Sequence, residues 1–178
     1  MNILTQLAEK LAPYWEADIE VARNEYLTVA GDLNTQLYFV ESGSLRVFIE
    51  DEHENHTIRF GYQQSFLTAL DSFLKEVPTV FHIQALKKSR LKVISKAKFL
   101  EWVHASQEHQ LLWNKLLEEF VYQQLVREND LILYTPQKRV ERVLKRSPQL
   151  FQEIPQKHIA SYLRMTPETI SRILKNLD

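Results

Sequence analysis

The last 25 residues of the chain, Ile154 to Asp178, carry the pattern that most restricts the fold. Apolar side chains recur at helical spacing in two stretches, 156–163 and 167–177, which leave room for only a short turn. Thr166 followed by Pro167 is typical of a helix N-cap and first helical position. The apolar side chains that can face each other are Ile159, Leu163, Ile170, Ile173, Leu174 and Leu177. Two short helices joined by a tight turn predict a helix-turn-helix.

The second of these helices has a polar face, which we expect to enter the major groove of double-stranded DNA. Arg172 can donate two hydrogen bonds to guanine, and Glu168 can accept one from the amino group of cytosine. Hydroxyl groups near a helix N-terminus suit phosphate contacts. The candidate DNA-binding residues are Thr166, Glu168, Thr169, Ser171, Arg172 and Lys175. A simpler interpretation is a surface ion pair between Glu168 and Arg172, worth about 0.3–0.5 kcal/mol, which could also orient the arginine.

The C-terminal quarter of the chain is basic, whereas the rest is acidic. Residues 1–133 contain 13 Lys and Arg against 19 Asp and Glu, and residues 134–178 contain 9 against 4. Thr135 and Pro136 predict a further helix in this basic part, running through Arg146. Basic residues neutralise phosphates and release counterions, so a basic module on an acidic body favours nucleic-acid binding over chance clustering.

Short stretches of alternating hydrophobicity in the first hundred residues predict β-strands. The expected strands are 26–29, 37–40, 45–49, 57–60, 80–85 and 91–94, with turn signals at Gly31-Asp32 and Ser42-Gly43. Before them, residues 3–24 have a helical pattern that Pro13 interrupts. We therefore predict an α+β chain whose first part is an antiparallel β-roll or jelly roll.

A segment without Gly or Pro, from Leu111 to Leu133, predicts one long helix. Its apolar residues cover an arc of roughly 220°. They are Leu112, Trp113, Leu116, Leu117, Phe120, Val121 and Leu125. A helix that rests on one surface needs only about 100°, so we expect this helix to contact its own β-roll and a second copy of itself. The alternative to such a homodimer is a helix buried within one chain.

The decapeptide Thr166–Lys175, T-P-E-T-I-S-R-I-L-K, resembles the recognition helix of the Crp/Fnr superfamily of bacterial regulators, usually S-R-E-T-V-x-R-x-L-x. The strand-rich part is similar to the cyclic-nucleotide-binding barrel of that superfamily. The segments that carry this similarity are Gly31-Asp32, Leu37-Tyr38-Phe39-Val40, Ser42-Gly43 and Leu45-Arg46-Val47. Short chains with this ending resemble the Bacteroidetes-type branch.

The resemblance covers nearly the whole chain and implies three parts. Residues 1–105 would form a cyclic-nucleotide-binding-like β-roll sensor, 106–134 a dimerisation helix, and 135–178 a helix-turn-helix DNA-binding domain. It also implies a cytoplasmic, homodimeric transcription factor that contacts RNA polymerase.

The recognition helix departs from the superfamily's pattern. By the resemblance, its groove-reading glutamate falls on Glu168 and its second arginine on Arg172, whereas its first arginine falls on Pro167. Proline cannot donate a hydrogen bond, so one guanine contact is missing and the usual half-site is not expected. Arg164 stands where a glycine often makes the turn, and no β-hairpin wing is expected after Asp178.

The ligand cassette departs further from the superfamily. Relatives that bind cyclic AMP carry a Gly-Glu pair and, eleven residues after the glycine, an arginine that holds the cyclic phosphate. The matching positions here are Thr68, Ala69 and Thr79, so we expect no response to cyclic AMP. The surrounding apolar segment, SFLTALDSFLKEVPTVF at 65–81, either lines a pocket for an unknown small-molecule effector or belongs to the core.

Other classes of chemistry have little support in the sequence. The absence of cysteine excludes disulfides and thiolate zinc sites, and it suits a reducing cytoplasm. No P-loop, Rossmann glycine pattern, nucleophile elbow or HExxH motif occurs, so we expect neither an enzyme nor a cofactor. His53 and His56 fit an exposed charged turn better than a metal site. No apolar run approaches the roughly 18 residues of a membrane span.

Two functions from different classes remain open at this stage. The first is a sequence-specific DNA-binding regulator. The second is a ligand-sensing or protein-interaction module with decayed DNA recognition, which the missing arginine and wing favour. An interaction module has no need of Arg172 or of the basic face around Lys138, Arg139, Arg142 and Lys175, so these residues favour the first function.

Overall fold

Strands occupy the first half of the chain and helices the second. The computed structural model describes residues 3–177, so Met1, Asn2 and Asp178, which the predicted domain bounds include, lie outside the described residues. The strands are β1 (Ala17–Val21), β2 (Tyr26–Thr28), β3 (Gln36–Ser42), β4 (Ser44–Glu50), β5 (Asn55–Tyr62), β6 (Phe66–Leu67), β7 (His82–Ala85) and β8 (Ser89–Ser95). The helices are α1 (Ile3–Leu11), α2 (Leu70–Lys75), α3 (Lys96–His104), α4 (Gln107–Leu133), α5 (Pro136–Arg146), α6 (Pro148–Glu153), α7 (Gln156–Tyr162) and α8 (Pro167–Lys175).

The strands form two four-stranded antiparallel sheets, with the orders β1-β8-β3-β6 and β2-β7-β4-β5. Between β3 and β4 the chain turns at Gly43, where φ is +89°. A Cβ atom on Gly43 would lie 2.5 Å from the carbonyl oxygen of Lys88, so this turn needs glycine for both its conformation and its space. The predicted α+β class with an antiparallel β-roll is confirmed.

Two apolar clusters hold the β-roll together. One lies between the sheets, where alternate residues of the strands point inward, among them Val40, Leu45 and Ile83. The other joins α1, α3 and the first half of α4 to the roll, and it is centred on Phe99 and Trp102. Trp102 is 1% exposed, and full burial of such a side chain contributes about 3 kcal/mol or less.

The prediction of helical structure over residues 3–24 is wrong for its second half. Helix α1 ends at Leu11, a 3-10 turn covers Ala12–Tyr14, and Ala17–Val21 forms strand β1. Strand β1 pairs with β8 from Ala17 opposite Val93 to Val21 opposite Ser89. Ile19 and Val21 are its least exposed residues, which is the two-residue period of a half-buried strand. Pairing with a strand about 70 residues away therefore overrides the local helical pattern.

Three helices were not predicted: α2, α3 and α6. Two of them, α2 and α6, have only six residues each, too few to give a clear helical period. Helix α3 does carry a recognisable start signal, because the Ser95 hydroxyl accepts a hydrogen bond from the Lys98 amide at 3.4 Å.

Helix α4 is the predicted long helix, and its 27 residues begin four positions earlier than expected. Its first half packs on the β-roll through Leu112 and Leu116, which are buried. Farther along, the apolar side chains of Val121, Leu125 and Ile132 are exposed by 61%, 53% and 70%. The wide apolar arc is thus divided, with only part of it covered by the chain's own β-roll.

Candidate nucleic-acid interface

Helices α7 and α8 pack against each other as a helix-turn-helix. Ile159 and Ala160 of α7 and Ile170 and Ile173 of α8 are buried in one apolar cluster. The cluster also takes in Val140 and Val143 of α5 and Leu86 of the β-roll. The C-terminal helices therefore share a core with the roll rather than standing apart from it.

The turn between α7 and α8 is made by Arg164 in the left-handed conformation, with φ of +56°. This is the conformation that glycine adopts without cost, and it costs other residues about 1–2 kcal/mol. The Met165 amide donates to the Ala160 carbonyl at 3.0 Å and closes the turn. Arg164 Nη1 lies 2.6 Å from His56 Nδ1 on strand β5, so the side chain at this strained position also contacts the β-roll.

Helix α8 has the N-terminus that the sequence predicts. The Thr166 hydroxyl accepts a hydrogen bond from the Thr169 amide at 3.2 Å, and Pro167 follows the cap. Hydrogen bonds from its own backbone amide and from the Thr166 side chain lower the pKa of Glu168. Its carboxylate is therefore charged at neutral pH, at the helix end that favours negative charge.

The polar residues of α8 differ in exposure. Four candidate DNA-binding residues are exposed, namely Thr166, Glu168, Arg172 and Lys175, and two are half-buried, namely Thr169 and Ser171. Within residues 3–177, no carboxylate lies within 4.0 Å of the charged groups of Arg172 or Lys175, so the surface ion pair considered above is not formed. Both cations face solvent.

The basic residues of α5 are less available than the sequence suggests. Arg142 Nε donates to Asp130 Oδ1 at 2.6 Å, and Arg146 Nη2 lies 2.9 Å from Asp130 Oδ2. Arg139 donates to the carbonyl oxygens of Tyr134 and Leu163 at 2.8 and 3.1 Å. These three arginines hold α5 to α4 and to the turn before α8.

That leaves Lys138 and Lys145 as the α5 cations that are exposed and lack a carboxylate within 4.0 Å among the described residues. The expected basic face is therefore smaller than predicted. The sequence gave no sign of Asp130 as a partner, because the pairing depends on how α4 and α5 pack.

Helix α7 contacts strand β5 through polar groups. The Ser161 hydroxyl accepts from the Thr57 amide at 3.0 Å and donates to the Asn55 carbonyl at 2.8 Å. Arg127 of α4 donates from Nη2 to the carbonyl oxygens of Thr57 and Tyr162, at 3.3 and 3.2 Å. One guanidinium therefore links the long helix, the β-roll and the helix-turn-helix.

His158 of α7 forms a second contact with the β-roll that sequence analysis missed. Its Nδ1 lies 3.3 Å from Arg46 Nη1, and Arg46 is itself held by the Gln84 side chain. Burial, and then the positive charge of Arg46, lower the pKa of His158 to about 4. The imidazole is therefore neutral at pH 7, and its Nδ1 can accept the arginine N–H.

A cavity of about 550 Å³ lies between the β-roll and α4, with a mostly apolar lining. Leu70, Leu74 and Phe81 of the apolar segment line it, whereas Phe73 of the same segment is buried in the core. Both interpretations of that segment therefore hold in part.

The three cassette positions lie near this cavity. Thr68 lines it, and its hydroxyl donates to the Gln36 carbonyl at 2.8 Å. Ala69 is fully buried. The Thr79 hydroxyl donates to Asp71 Oδ1 at 2.7 Å. Each hydroxyl is thus engaged within the protein, and none of the three side chains carries a charge.

Neither a metal site nor a membrane span is found in residues 3–177. No group of three or more acidic or histidine side chains is placed to hold a metal ion. His56 instead binds Asp51, with Nε2 and Oδ2 2.6 Å apart. None of the described helices combines the length and apolarity needed to cross a membrane.

Residues 18–106 match the family model of the cyclic nucleotide-binding domain. Among solved structures, FixK2 from Bradyrhizobium japonicum superposes with a TM-score of 0.75 at 16% identity, covering 90% of this chain and 83% of FixK2. A variant of CooA from Carboxydothermus hydrogenoformans gives 0.73 at 18% identity, covering 90% of this chain and 75% of CooA.

A CRP-family transcriptional regulator from Thermus thermophilus gives a TM-score of 0.67 at 16% identity, covering 89% of this chain and 83% of the regulator. Likeness at such low identity concerns the fold, which extends over most of both chains in each case. No curated protein sequence matches this chain significantly.

Proposed function

This chain belongs to the family of proteins with a cyclic nucleotide-binding domain, and we propose that it is a sequence-specific, DNA-binding transcriptional regulator of the Crp/Fnr type. One observation carries the proposal. Arg172 is exposed on the capped helix α8, and no carboxylate among the described residues neutralises it. A guanidinium held in this way, on the second helix of a helix-turn-helix, suits readout of guanine.

In this proposal α8 enters the major groove with its N-terminal half nearest the bases. Arg172 donates to guanine, and Glu168 accepts from the amino group of cytosine. Thr166, Thr169 and Ser171 contact phosphates, and Lys175 adds charge attraction. Because Pro167 cannot donate, each half-site has one base contact fewer than an arginine at that position would give.

We propose that the active form is a homodimer joined through α4. The exposed apolar side chains of Val121, Leu125 and Ile132 support this, because such a run on one helix is costly to leave in water. A symmetric dimer also presents two recognition helices to successive turns of DNA, roughly 34 Å apart.

The remaining partners follow from the same proposal. RNA polymerase is the expected protein partner, the cytoplasm the expected compartment, and the Bacteroidetes-type branch the expected lineage. Cyclic AMP is not the expected effector, because Thr68, Ala69 and Thr79 offer neither a carboxylate for the ribose nor a guanidinium for the phosphate. We assign no catalytic role to the chain.

Selection of bound fragments from the native genome tests the proposal. The full chain is incubated with sheared genomic DNA at about 150 mM salt, and the retained fragments are sequenced. We expect a shared motif with two-fold symmetry, which the variant Arg172→Ala no longer enriches. Arg23→Ala is the matched control, because Arg23 is an exposed arginine in the β1–β2 loop.

Retention of fragments without any shared motif would overturn sequence-specific binding. That result would favour the ligand-sensing or protein-interaction module, for which Pro167 in place of a base-reading arginine is the supporting observation.

A further inference from the structure

Arg127, at the cavity between the β-roll and α4, is a buried cation without a counterion. The side chain lines the cavity, and the residue is 8% exposed. Its Nη2 donates to two carbonyl oxygens, and its guanidinium lies 4.7 Å from the centroid of the Tyr162 ring. Its Nε has no hydrogen-bond partner, and no carboxylate among residues 3–177 lies within 4.0 Å of its guanidinium.

A second guanidinium, that of Arg59 on β5, borders the same cavity. Its Nη2 donates to the Gln123 side-chain oxygen at 3.0 Å, and it lies 4.1 Å from the centroid of the Phe120 ring. In the described part of the chain it likewise has no carboxylate within 4.0 Å. Two arginines therefore face one apolar cavity without an ion-pair partner.

The acidic groups near the cavity do not neutralise this charge. Asp71 lines the cavity, but its Oδ1 accepts from the Thr79 hydroxyl at 2.7 Å and its Oδ2 from the Val80 amide at 2.9 Å. Glu119 acts on Arg59 only at longer range. Lys75 also lines the cavity and adds another positive charge.

Burial of these two arginines is energetically unfavourable as the cavity stands. Desolvation lowers the pKa of both Arg59 and Arg127, and it is the largest influence on each. Arginine nevertheless keeps its proton at physiological pH, so the charge remains. Buried charges in proteins are normally paired, and a bound anion would supply the missing partner.

We propose that this cavity binds a small, largely apolar molecule with one anionic group, such as an aromatic carboxylate, and that Arg127 and Arg59 hold the anion. The apolar body would contact Ile58, Leu70 and Phe120. The volume of about 550 Å³ lies within the range of small-molecule sites, roughly 300–1,000 Å³. Calling this molecule the effector rests on the proposed regulatory function, whereas its binding does not.

A polar ligand is less well suited to this lining. The hydroxyl of Thr68 is directed to the Gln36 carbonyl, and that of Thr79 to Asp71. A ligand with several polar groups would leave them without partners after losing water, which costs affinity. One anion on an apolar body matches both the guanidinium groups and the lining.

Isothermal titration calorimetry with two nearly isosteric probes, 2-naphthoate and its neutral amide 2-naphthamide, tests this proposal. We expect 2-naphthoate to bind one per chain, at least tenfold more tightly than 2-naphthamide. In Arg127→Met the affinity for 2-naphthoate should fall at least tenfold, whereas the affinity for 2-naphthamide changes less than twofold. Arg59→Met should act in the same direction, and Arg23→Met, at an exposed site, should match the wild type.

Equal affinities for the two probes in the wild type would overturn the proposal, as would no saturable binding of 2-naphthoate up to 1 mM. An unchanged preference for 2-naphthoate in both Arg127→Met and Arg59→Met would also overturn it, with circular dichroism showing that the variants are folded. DNA selection on the same preparation separates the two proposals. Selection of a motif without probe discrimination removes only the ligand proposal, and the converse removes only the DNA-binding function.

Discussion

The carboxylate of Asp130 accepts a hydrogen bond from Arg142 Nε at 2.6 Å, and this ion pair joins the last turns of α4 to α5. Asp130 is 1% exposed, and Arg146 reaches its second oxygen at 2.9 Å. The Arg142 guanidinium also lies 4.4 Å from the centroid of the Tyr134 ring. One buried carboxylate thus links the long helix to the helix that precedes the helix-turn-helix.

Asp130→Ala should lower the free energy of unfolding by about 2 kcal/mol. Removing one partner of a buried ion pair costs about 3–5 kcal/mol, and the loss is smaller here because both arginines are partly exposed. Urea denaturation followed by circular dichroism measures the change. Glu128→Ala, at an exposed position of the same helix, should shift the value by less than about 0.5 kcal/mol. Equal stability of the two variants would show that the Asp130 pairs contribute little.

Arg172 and Lys175 should affect DNA binding in different ways. Loss of a bidentate guanine contact costs about 1–3 kcal/mol and relaxes preference at one base pair of each half-site. Arg172→Ala should therefore lower the ratio of specific to non-specific affinity. Lys175→Ala should weaken binding to both kinds of duplex, keep that ratio, and reduce the salt dependence by about one counterion per contact.

Salt titration on a selected operator and on a scrambled duplex measures both effects. Arg23→Ala serves as the control for loss of one exposed arginine. If Arg172→Ala binds both duplexes as the wild type does, α8 is not the helix that reads the bases.

Ile132→Glu should convert a dimer into a monomer. Ile132 is 70% exposed in the single chain, and a buried carboxylate opposite its symmetry mate is strongly unfavourable. Sedimentation equilibrium at micromolar concentration should give about twice 21.1 kDa for the wild type and 21.1 kDa for the variant. Leu33→Glu, at another exposed apolar residue far from α4, should remain dimeric. A 21.1 kDa wild type would argue against the dimer.

His158 should make the protein less stable in mild acid. Its pKa is about 4 in the folded chain and about 6.5 when unfolded, so between these values the unfolded chain binds the extra proton. The stability contributed by neutral His158 is complete above about pH 6.5 and is lost as the pH falls towards 4. Between pH 7 and pH 4 the wild type should lose about 2 kcal/mol more than His158→Gln.

Urea denaturation of both proteins across that pH range provides the measurement. His53→Gln, which removes an exposed histidine, should follow the wild type. Parallel curves for the wild type and His158→Gln would mean that burial beside Arg46 does not hold the imidazole neutral.

Cyclic AMP should not bind with physiological affinity. An affinity of about 10 μM requires roughly 7 kcal/mol of favourable contacts, and the side chains of Thr68, Ala69 and Thr79 supply no charge for the ribose or the phosphate. Calorimetry should show no saturable heat below that concentration. One-to-one binding below about 10 μM would mean that other residues of the cavity hold the nucleotide.

Local signals were sufficient where a helix has its own start and a clear period. Helices α5 and α8 begin at Pro136 and Pro167, as the Thr-Pro pairs predict, and α4 ends at the predicted Leu133. The polar outer face of α8 follows from the same period. These features depend on neighbours within about four residues, so the sequence alone determines them.

Long-range contacts account for what was missed. Strand β1 exists because β8 pairs with it, and Asp130 has its partners because α4 and α5 cross there. The apparent basic face of α5 was overestimated for the same reason. The unpaired state of Arg59 and Arg127 likewise depends on which carboxylates the fold brings near, and a sequence does not list those.

The outward side chains of α8 have one further consequence. In the described part of the chain, Glu168, Arg172 and Lys175 make no hydrogen bond or ion pair to the β-roll, to α4 or to α5, and none of them belongs to the buried cluster. Surface substitutions of this kind usually change stability by less than about 0.5 kcal/mol. The choice of DNA sequence can therefore drift during evolution, or be rewritten by an engineer, while the scaffold that presents α8 stays intact.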